Sequence, residues 1–361
     1  MRVLQVITSL QTGGAEKLIV DSVPIYQGRN IKMDILSLNN NKSAFWEKLI
    51  QNSNGEITGL TSKSVYNPFL IFKIIPYFKK YDIVHLHLFP TLYWVVIAKW
   101  VSFSKVKLVY TEHSTSNRRR DKFVFKILDR FFYSKLDEVV CITEGVKNNL
   151  IRHLGNKKNI KVINNGIDVK KFDGATIENK NFNFFAKDDF ILIQVASFRM
   201  QKDHATLIRS LTLLPEKVKL LLVGEGILIG ENKRLVIELD LQDRVTFLGN
   251  RYDIPELINY CDVVILSSEW EGFGLAIVEG MAANKPVIAS DIDGVREIVN
   301  GYGLLFEKGN KKELALQINR IIEDNGLYQK IADKCLLRSK DFDISKMIDS
   351  YIKIYSGLLK E

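Results

Sequence analysis

Val263-Val264-Ile265-Leu266-Ser267-Ser268-Glu269-Trp270-Glu271-Gly272-Phe273-Gly274-Leu275-Ala276-Ile277-Val278-Glu279-Gly280 changes character twice within eighteen residues. It opens with an unbroken aliphatic run, the signature of a strand buried on both faces. A polar loop follows, then glycines, then an apolar segment with helical character. Strand, loop and helix in that order form one step of a parallel sheet whose crossovers are helices. The same step recurs outward in both directions. Strands are expected at Arg2–Thr8, Lys32–Leu38, Ile83–Leu88, Lys107–Thr111, Glu138–Ile142 and Lys161–Ile163, and again at Phe190–Ala196, Lys219–Val223, Val245–Leu248, Val263–Ser267, Pro286–Ala289 and Gly303–Phe306. Helical patterns lie between them. In Ala15–Tyr26, for example, Ala15, Leu18, Ile19, Ser22, Val23 and Tyr26 share one face.

With 361 residues the chain exceeds one ordinary α/β domain and suits two. The polar, aperiodic stretch Asp168–Asp188 separates the two series. The expected domains are therefore 1–170 and 188–340, each a Rossmann-like α/β unit.

Composition bounds the function classes. The chain is 46% apolar and 26% charged, enough to bury a core. Its N-terminus reads at once as a strand, not a secretory signal. The most apolar run, Thr91 to Phe103, is interrupted by Lys99 and falls short of the roughly 18 residues a membrane span needs. Cys141, Cys261 and Cys335 are few, odd in number and widely spaced, which fits a reducing cytoplasm rather than a disulfide framework. The net charge of +9 is compatible with anionic partners. It is spread along the chain without a nucleic-acid recognition motif, so no nucleic-acid partner is expected.

Ligands of open α/β sheets bind beyond the carboxyl ends of the strands, so the chemistry is sought there. After the first strand come Thr12-Gly13-Gly14-Ala15-Glu16. Glycines let a ligand approach the backbone, and a helix amino end favours an anion. The pair is not a dinucleotide fingerprint, and a tight capped turn accounts for it equally well. Thr111-Glu112-His113 ends another strand, where His113 could bond a hydroxyl or simply its own backbone. His85 and His87 lie on one face of the strand before it. No carboxylate or cysteine completes a ligand spacing around the three histidines, and no metal is expected there.

In the second series, Arg199 and Lys202 follow a strand end three residues apart. There they could grip a diphosphate or stand as solvated loop charges. Glu271 on the loop and Glu279 on the helix flank Gly272-Phe273-Gly274, and two carboxylates so placed should face hydroxyls rather than phosphate oxygens. A hydrolase with paired carboxylates fits less well, because the neighbouring features bind anions. Asp291-Ile292-Asp293 imitates a metal motif but reads as a loop with a cap for the next helix. From Arg118 to Lys135, Arg118, Lys122, Lys126 and Arg130 form one helical stripe, with Val124, Ile127, Leu128 and Phe131 opposite. That is the pattern of a helix packed on the core by its apolar side. Its basic outer face is then either solvated or docked on anionic lipid.

Taken in order, Gly13-Gly14-Ala15-Glu16, Thr111-Glu112-His113, Asn165-Gly166-Ile167-Asp168, Arg199 with Lys202, Val223-Gly224-Glu225-Gly226 and Glu271-x7-Glu279 resemble glycosyltransferase family 4 (glycosyl transferases group 1), retaining enzymes of the GT-B fold, over nearly the whole chain. One departure is Ser197, where many members carry glycine. The resemblance implies two Rossmann-like domains facing across a cleft, with the C-terminal helix, residues 341–361, packed back on the N-terminal domain.

It also implies a set of roles. Arg199 and Lys202 bind the donor diphosphate, with Gly14 close to it. Glu271 and the amides of Gly272, Phe273 and Gly274 position the transferred sugar. Glu279 holds the ribose, His113 lies beside the reacting sugar near its C6 hydroxyl, and Asn250 and Arg251 lie near the base. Gly224 and Leu275 also belong to the donor side, and Gly13, Glu16 and His87 to the acceptor side. The implied reaction is metal-independent and needs no cofactor beyond the nucleotide sugar, a UDP-sugar by family habit. Hexose or N-acetylhexosamine would pass to a saccharide or polyprenyl-diphosphate-linked saccharide at the inner face of a bacterial membrane. A sugar-nucleotide epimerase and a non-catalytic nucleotide-binding subunit are the competing readings.

Overall fold

The computed structural model describes residues 1–116, 120, 122–155, 160–173 and 182–360. The chain divides into two compact units, Met1–Gly166 with Ile344–Glu361, and Ile167–Asp343. The first holds β1 (Arg2–Ile7), β2 (Lys32–Asn39), β3 (Ile57–Thr61), β4 (Ile83–His87), β5 (Lys107–Glu112), β6 (Glu138–Cys141) and β7 (Ile160–Val162). The second holds β8 (Phe190–Val195), β9 (Val218–Val223), β10 (Val245–Phe247), β11 (Val263–Leu266), β12 (Val287–Ser290) and β13 (Leu304–Phe306).

Both sheets are wholly parallel, in the orders β3-β2-β1-β4-β5-β6-β7 and β10-β9-β8-β11-β12-β13. Each reverses direction once, at β1/β4 and at β8/β11. Those switch points open crevices at the carboxyl ends of the strands, and they fix where each unit can hold a ligand.

The strands form because their central residues are β-branched or aliphatic and buried on both faces. β11 and β12 are fully buried, and β4 is buried along its whole length. β3 was not legible in the sequence. It is a five-residue edge strand, all of it only half-buried, and its Ile57-Thr58-Gly59-Leu60-Thr61 run is too short and too polar to announce itself. A side chain at Gly59 would collide with Asn40, so this edge closes only around glycine.

The first unit is completed by the C-terminal helix Ile344–Leu358. Its buried face, Ile344, Met347, Ile348, Tyr351, Ile354, Tyr355 and Leu358, joins one core with Val3, Ile7, Leu18, Ile19, Val23, Tyr26 and Met33. The boundary between units falls at Gly166/Ile167, ahead of the polar stretch read from composition. There Ile167 pairs with Asp343 and its N–H donates to the Phe342 carbonyl at 2.9 Å. Residues 174–181 of that stretch lie outside the described residues. All three cysteines are free and buried. Among the described residues no helix is long and apolar enough to cross a membrane.

One expectation is overturned. The helix Phe123–Ser134 does not pack on the core through Val124, Ile127, Leu128 and Phe131. Those four are exposed by 63%, 54%, 38% and 48%, and Phe123 by 74%. The buried side is Asp129, Phe132 and Tyr133. The physical reason is a polar anchor that the apolar pattern does not reveal. The Asp129 carboxylate is buried between the Tyr93 hydroxyl (2.7 Å) and His153 Nε2 (2.9 Å), and the Tyr133 hydroxyl donates to Glu112 at 2.6 Å. A carboxylate and a phenol with partners in the interior turn their own face inward, and the apolar stripe is left outside. Lys126 and Arg130 border that stripe by helical position; Arg118 and Arg119 lie outside the described residues.

Candidate functional site

In the second unit the β8/β11 crevice is built by two loops locked together. Gln194 is a polar residue inside an otherwise apolar strand. Its Nε2 donates to the Lys202 carbonyl (3.0 Å) and its Oε1 accepts from Ser267 Oγ (2.9 Å). Gln201 Nε2 donates to the Trp270 carbonyl (2.8 Å), and Glu269 N–H returns a bond to the Gln201 carbonyl (2.8 Å). This scaffolding sets Lys202 Nζ in an ion pair with the buried Glu271 carboxylate, which also accepts from Ser268 Oγ at 2.8 Å. Lys202 and Glu271 are thus brought together, as a cation and a carboxylate at the mouth of one crevice, while Arg199 stands exposed at the edge of the same loop.

Gly274 caps the amino end of the helix Leu275–Ala282 with φ of 84°, a left-handed conformation that glycine adopts without cost. The helix amino end directs its first-turn amides and a partial positive charge toward the Gly272–Gly274 loop. A side chain at Gly294 would meet the Glu271 and Gly272 carbonyls at 2.6 and 2.8 Å, so this loop is pressed from behind by glycine backbone. Phe273 is buried edge-on against Phe342, ring centroids 5.4 Å apart. Glu279 is buried one turn into the helix.

The neighbouring strand ends are stitched to the same crevice. A Cβ at Gly224 would come within 2.2 Å of the Ala196 carbonyl, and Gly224 N–H donates to the Gly249 carbonyl at 2.8 Å. Beyond β10, Asn250, Arg251, Tyr252, Asp253 and Glu256 line an open hollow of about 440 Å³. Arg251 there is held by two hydrogen bonds to Asp253, at 2.8 and 2.6 Å. Asp291 and Asp293 are ion-paired to Arg296. Among the described residues no cluster of three or more histidines, cysteines or carboxylates could hold a metal ion.

In the first unit, Gly13 is the extended amino-terminal cap of the helix Gly14–Gly28, its carbonyl accepting from Lys17 N–H at 2.9 Å. Gly14 is exposed and Glu16 half-buried in the first turn. At the carboxyl ends of β4 and β5 the histidines form a connected row. Ring centroids are 4.2 Å apart for His85–His87 and 5.3 Å for His87–His113. Both ring nitrogens of His85 and of His87 are engaged by protein groups. His85 bonds Tyr355 (2.6 Å) and Thr111 (2.7 Å), and His87 bonds His113 (3.0 Å) and Gln5 (2.7 Å). Burial holds His85 down to about 3, holds His87 well below the usual histidine range, and brings His113 down to about 4 against the opposing pull of Glu112. All three are neutral at pH 7. His113 therefore offers a hydrogen bond, not a charge. Gln5, Thr111, Gln194 and Ser267 went unread in the sequence as site builders; the only trace was a glutamine inside each of two apolar strands.

Two family models match successive parts of the chain: Glycosyltransferase Family 4 over residues 12–171 and Glycosyl transferases group 1 over residues 176–335. The chain belongs to glycosyltransferase family 4. Among the relatives of this glycosyltransferase, one from Campylobacter jejuni is an N-acetylgalactosamine-N,N'-diacetylbacillosaminyl-diphospho-undecaprenol 4-alpha-N-acetylgalactosaminyltransferase. It is 28% identical, covering 97% of this chain and 98% of the relative. Another, from Escherichia coli, is a UDP-Gal:alpha-D-GlcNAc-diphosphoundecaprenol alpha-1,3-galactosyltransferase, 28% identical over 78% of this chain and 76% of its own length. The crystal structure of Anabaena HepE in complex with UDP and glucose superposes with a TM-score of 0.88 at 25% identity, covering 99% of this chain and 100% of the other. The glycosyltransferase thus carries the GT-B pair of Rossmann-like domains.

Proposed function

We propose that this glycosyltransferase is a retaining, metal-independent enzyme. It moves a hexose or N-acetylhexosamine from a UDP-sugar to a saccharide or polyprenyl-diphosphate-linked saccharide in bacterial surface glycan synthesis. The observation that carries the reading is the Lys202–Glu271 pair fixed at the β8/β11 switch beside the Gly274 helix amino end. A cation and a helix dipole converge where a diphosphate would leave, and a carboxylate stands where sugar hydroxyls would bind. The UDP bound by HepE and the undecaprenol-linked acceptors in the relatives' names support the choice of donor and acceptor.

In this reading Arg199 and Lys202 of the second unit take the diphosphate, and Gly14 opens the helix of the first unit as a donor-side residue. Gly224, Asn250 and Arg251 bound the nucleoside side, and Glu279 receives the ribose. Glu271, Gly272, Phe273, Gly274 and Leu275 hold the sugar, and in the first unit His113 stands as a neutral hydrogen-bonding group for a sugar hydroxyl. Gly13, Glu16 and His87 serve the acceptor side. The acceptor oxygen bonds to the anomeric carbon on the face the diphosphate leaves. The carbon–oxygen bond to UDP breaks, and the acceptor proton passes to the departing phosphate. Arg199, Lys202 and the helix amino end offset the charge that develops on it.

A thermal-shift panel of UDP- and GDP-sugars, with NAD as control, tests the donor. A ligand at a hundred times its Kd adds about 2.7 kcal/mol of stability, and UDP and its sugars should produce that shift, with transfer unchanged by chelator. A shift with NAD alone, or chelator loss restored by manganese, would overturn the reading.

The membrane part of the proposal rests on the helix Phe123–Ser134. Its exposed apolar stripe, bordered by Lys122, Lys126 and Arg130, has the chemistry of an anionic bilayer interface. Apolar residues lose water among acyl chains at about 1.5–3 kcal/mol each when fully buried, and each cation adds about 1 kcal/mol near anionic headgroups. The protein should sediment with phosphatidylglycerol vesicles at low salt. Ile127→Asp with Phe131→Asp should release it without loss of fold, since both side chains are exposed. Lys122→Glu with Lys126→Glu should do the same. Undiminished sedimentation of both variants would remove the surface from the proposal.

A further inference from the structure

In the second unit the cation that a diphosphate needs is already taken. Lys202 Nζ is ion-paired with the Glu271 carboxylate, which is buried and also accepts from the fully buried Ser268 Oγ at 2.8 Å. The backbone on both sides of the pair is tied down. Gln194 Nε2 donates to the Lys202 carbonyl at 3.0 Å, Gln201 Nε2 donates to the Trp270 carbonyl at 2.8 Å, and Glu269 N–H donates to the Gln201 carbonyl at 2.8 Å. A change of partner is therefore left to the side chains. A diphosphate that reaches Lys202 has to draw it from a carboxylate. An ammonium shared by two anions also brings those anions within each other's repulsion, so neither holds it at full strength. A buried carboxylate deprived of its cation is costly unless another donor replaces it. A sugar hydroxyl is such a donor, and it is present only while the sugar is attached to the diphosphate.

We propose that Glu271 competes with the diphosphate for Lys202, so that the site holds a nucleoside diphosphate with its sugar and releases the nucleoside diphosphate that transfer leaves behind. This rests on the reading above that Lys202 takes the diphosphate and Glu271 a sugar hydroxyl. It adds how one pair tells substrate from product. With the donor bound, Lys202 faces the diphosphate and the sugar hydroxyl compensates Glu271. Once the sugar has passed to the acceptor, that hydroxyl is gone. Glu271 then takes Lys202 back, and the nucleoside diphosphate loses a cation. Ser268 sets the strength of the competition, because its hydroxyl supplies part of what Glu271 requires.

Calorimetric titration of the full-length protein with UDP, inorganic pyrophosphate, UDP-glucose and UDP-N-acetylgalactosamine tests this. Glu271→Gln, which keeps the shape and removes the charge, should tighten UDP and pyrophosphate by about tenfold or more. The tighter-binding of the two sugar nucleotides should gain much less, so its advantage over UDP shrinks. Ser268→Ala should act in the opposite direction and weaken UDP by a few-fold, since Glu271 then leans harder on Lys202. Opposite signs from two neighbouring substitutions are not what a folding defect produces. In a Lys202→Ala background most of the gain from Glu271→Gln should vanish. An equal gain with and without the lysine would mean plain repulsion and overturn the competition, as would UDP and pyrophosphate indifferent to Glu271→Gln. A gain seen with pyrophosphate, in a protein that binds UDP no more tightly than pyrophosphate, would refute the nucleotide reading and leave the competition standing. Tight UDP binding without the gain would do the reverse, so the two failures are told apart.

Discussion

Lys202→Ala should lower turnover by about 10²–10³, the loss that follows removal of one preorganised donor from a developing oxyanion. The residue is a strong test because the structure gives it a second tie. In the ligand-free protein Lys202 pairs with Glu271, and truncation leaves that carboxylate, 6% exposed, with Ser268 as a remaining donor. Some stability should go with the activity, since a buried charge that loses its partner is destabilising. Lys202 is itself partly exposed, which softens the effect. Two variants separate the terms. Glu271→Gln added to Lys202→Ala removes the stranded charge and should recover melting temperature but not turnover. Lys202→Arg keeps the charge and should recover part of the turnover. Near-normal turnover of Lys202→Ala would remove Lys202 from the diphosphate. Recovery of turnover in the double variant would mean that the lysine serves only to neutralise Glu271.

The second large effect concerns stability. Deleting residues 344–361 should unfold the first unit and leave the second. The helix Ile344–Leu358 contributes Ile344, Met347, Ile348, Tyr351, Ile354, Tyr355 and Leu358 to the core around β1 and β2. At about 1.5–3 kcal/mol for each large apolar side chain fully buried, their loss exceeds about 10 kcal/mol, which equals or passes the whole stability of a typical domain. The polar contacts point the same way. Tyr355 bonds His85, and Tyr351 bonds Thr111 at 2.9 Å, so the deletion also strands buried groups beneath the histidine row. In urea, the full-length protein should retain a transition that the shortened chain lacks, while the transition of the second unit persists. A shortened chain that kept both transitions would show that the helix is an accessory to the first unit.

The parts of the fold that the sequence carried are those set by local pattern. Buried parallel strands are written as short aliphatic runs, and Val263-Val264-Ile265-Leu266 could be placed to within a residue. Ile57–Thr61 could not, because an edge strand buries little and so carries little apolar signal. The Gly272-Phe273-Gly274 loop was legible because a strand end, glycines and a helix start coincide in twenty residues. That Glu271 answers Lys202, sixty-nine positions earlier, was not, because the β8/β11 switch brings together loops that the chain keeps apart.

The helix Phe123–Ser134 marks the limit most plainly. A helical wheel shows that its apolar and polar sides differ, but not which side faces the protein. The apolar side was expected inward on the average rule that apolar residues are buried. Asp129 reversed it, because its partners Tyr93 and His153 come from two other helices and satisfy a carboxylate that would otherwise be too costly to bury. The sequence by itself determined the class of fold, the two-unit organisation and the residue types at each strand end, since these follow from periodicity and from the short-range geometry of strand, loop and helix. The tertiary structure alone decided which face of that helix is left exposed, which carboxylate meets which lysine, and that Gln5, His87 and His113 meet in one row. Those depend on groups from distant segments meeting in the interior, where a hydrogen bond or an ion pair must be completed and water cannot complete it.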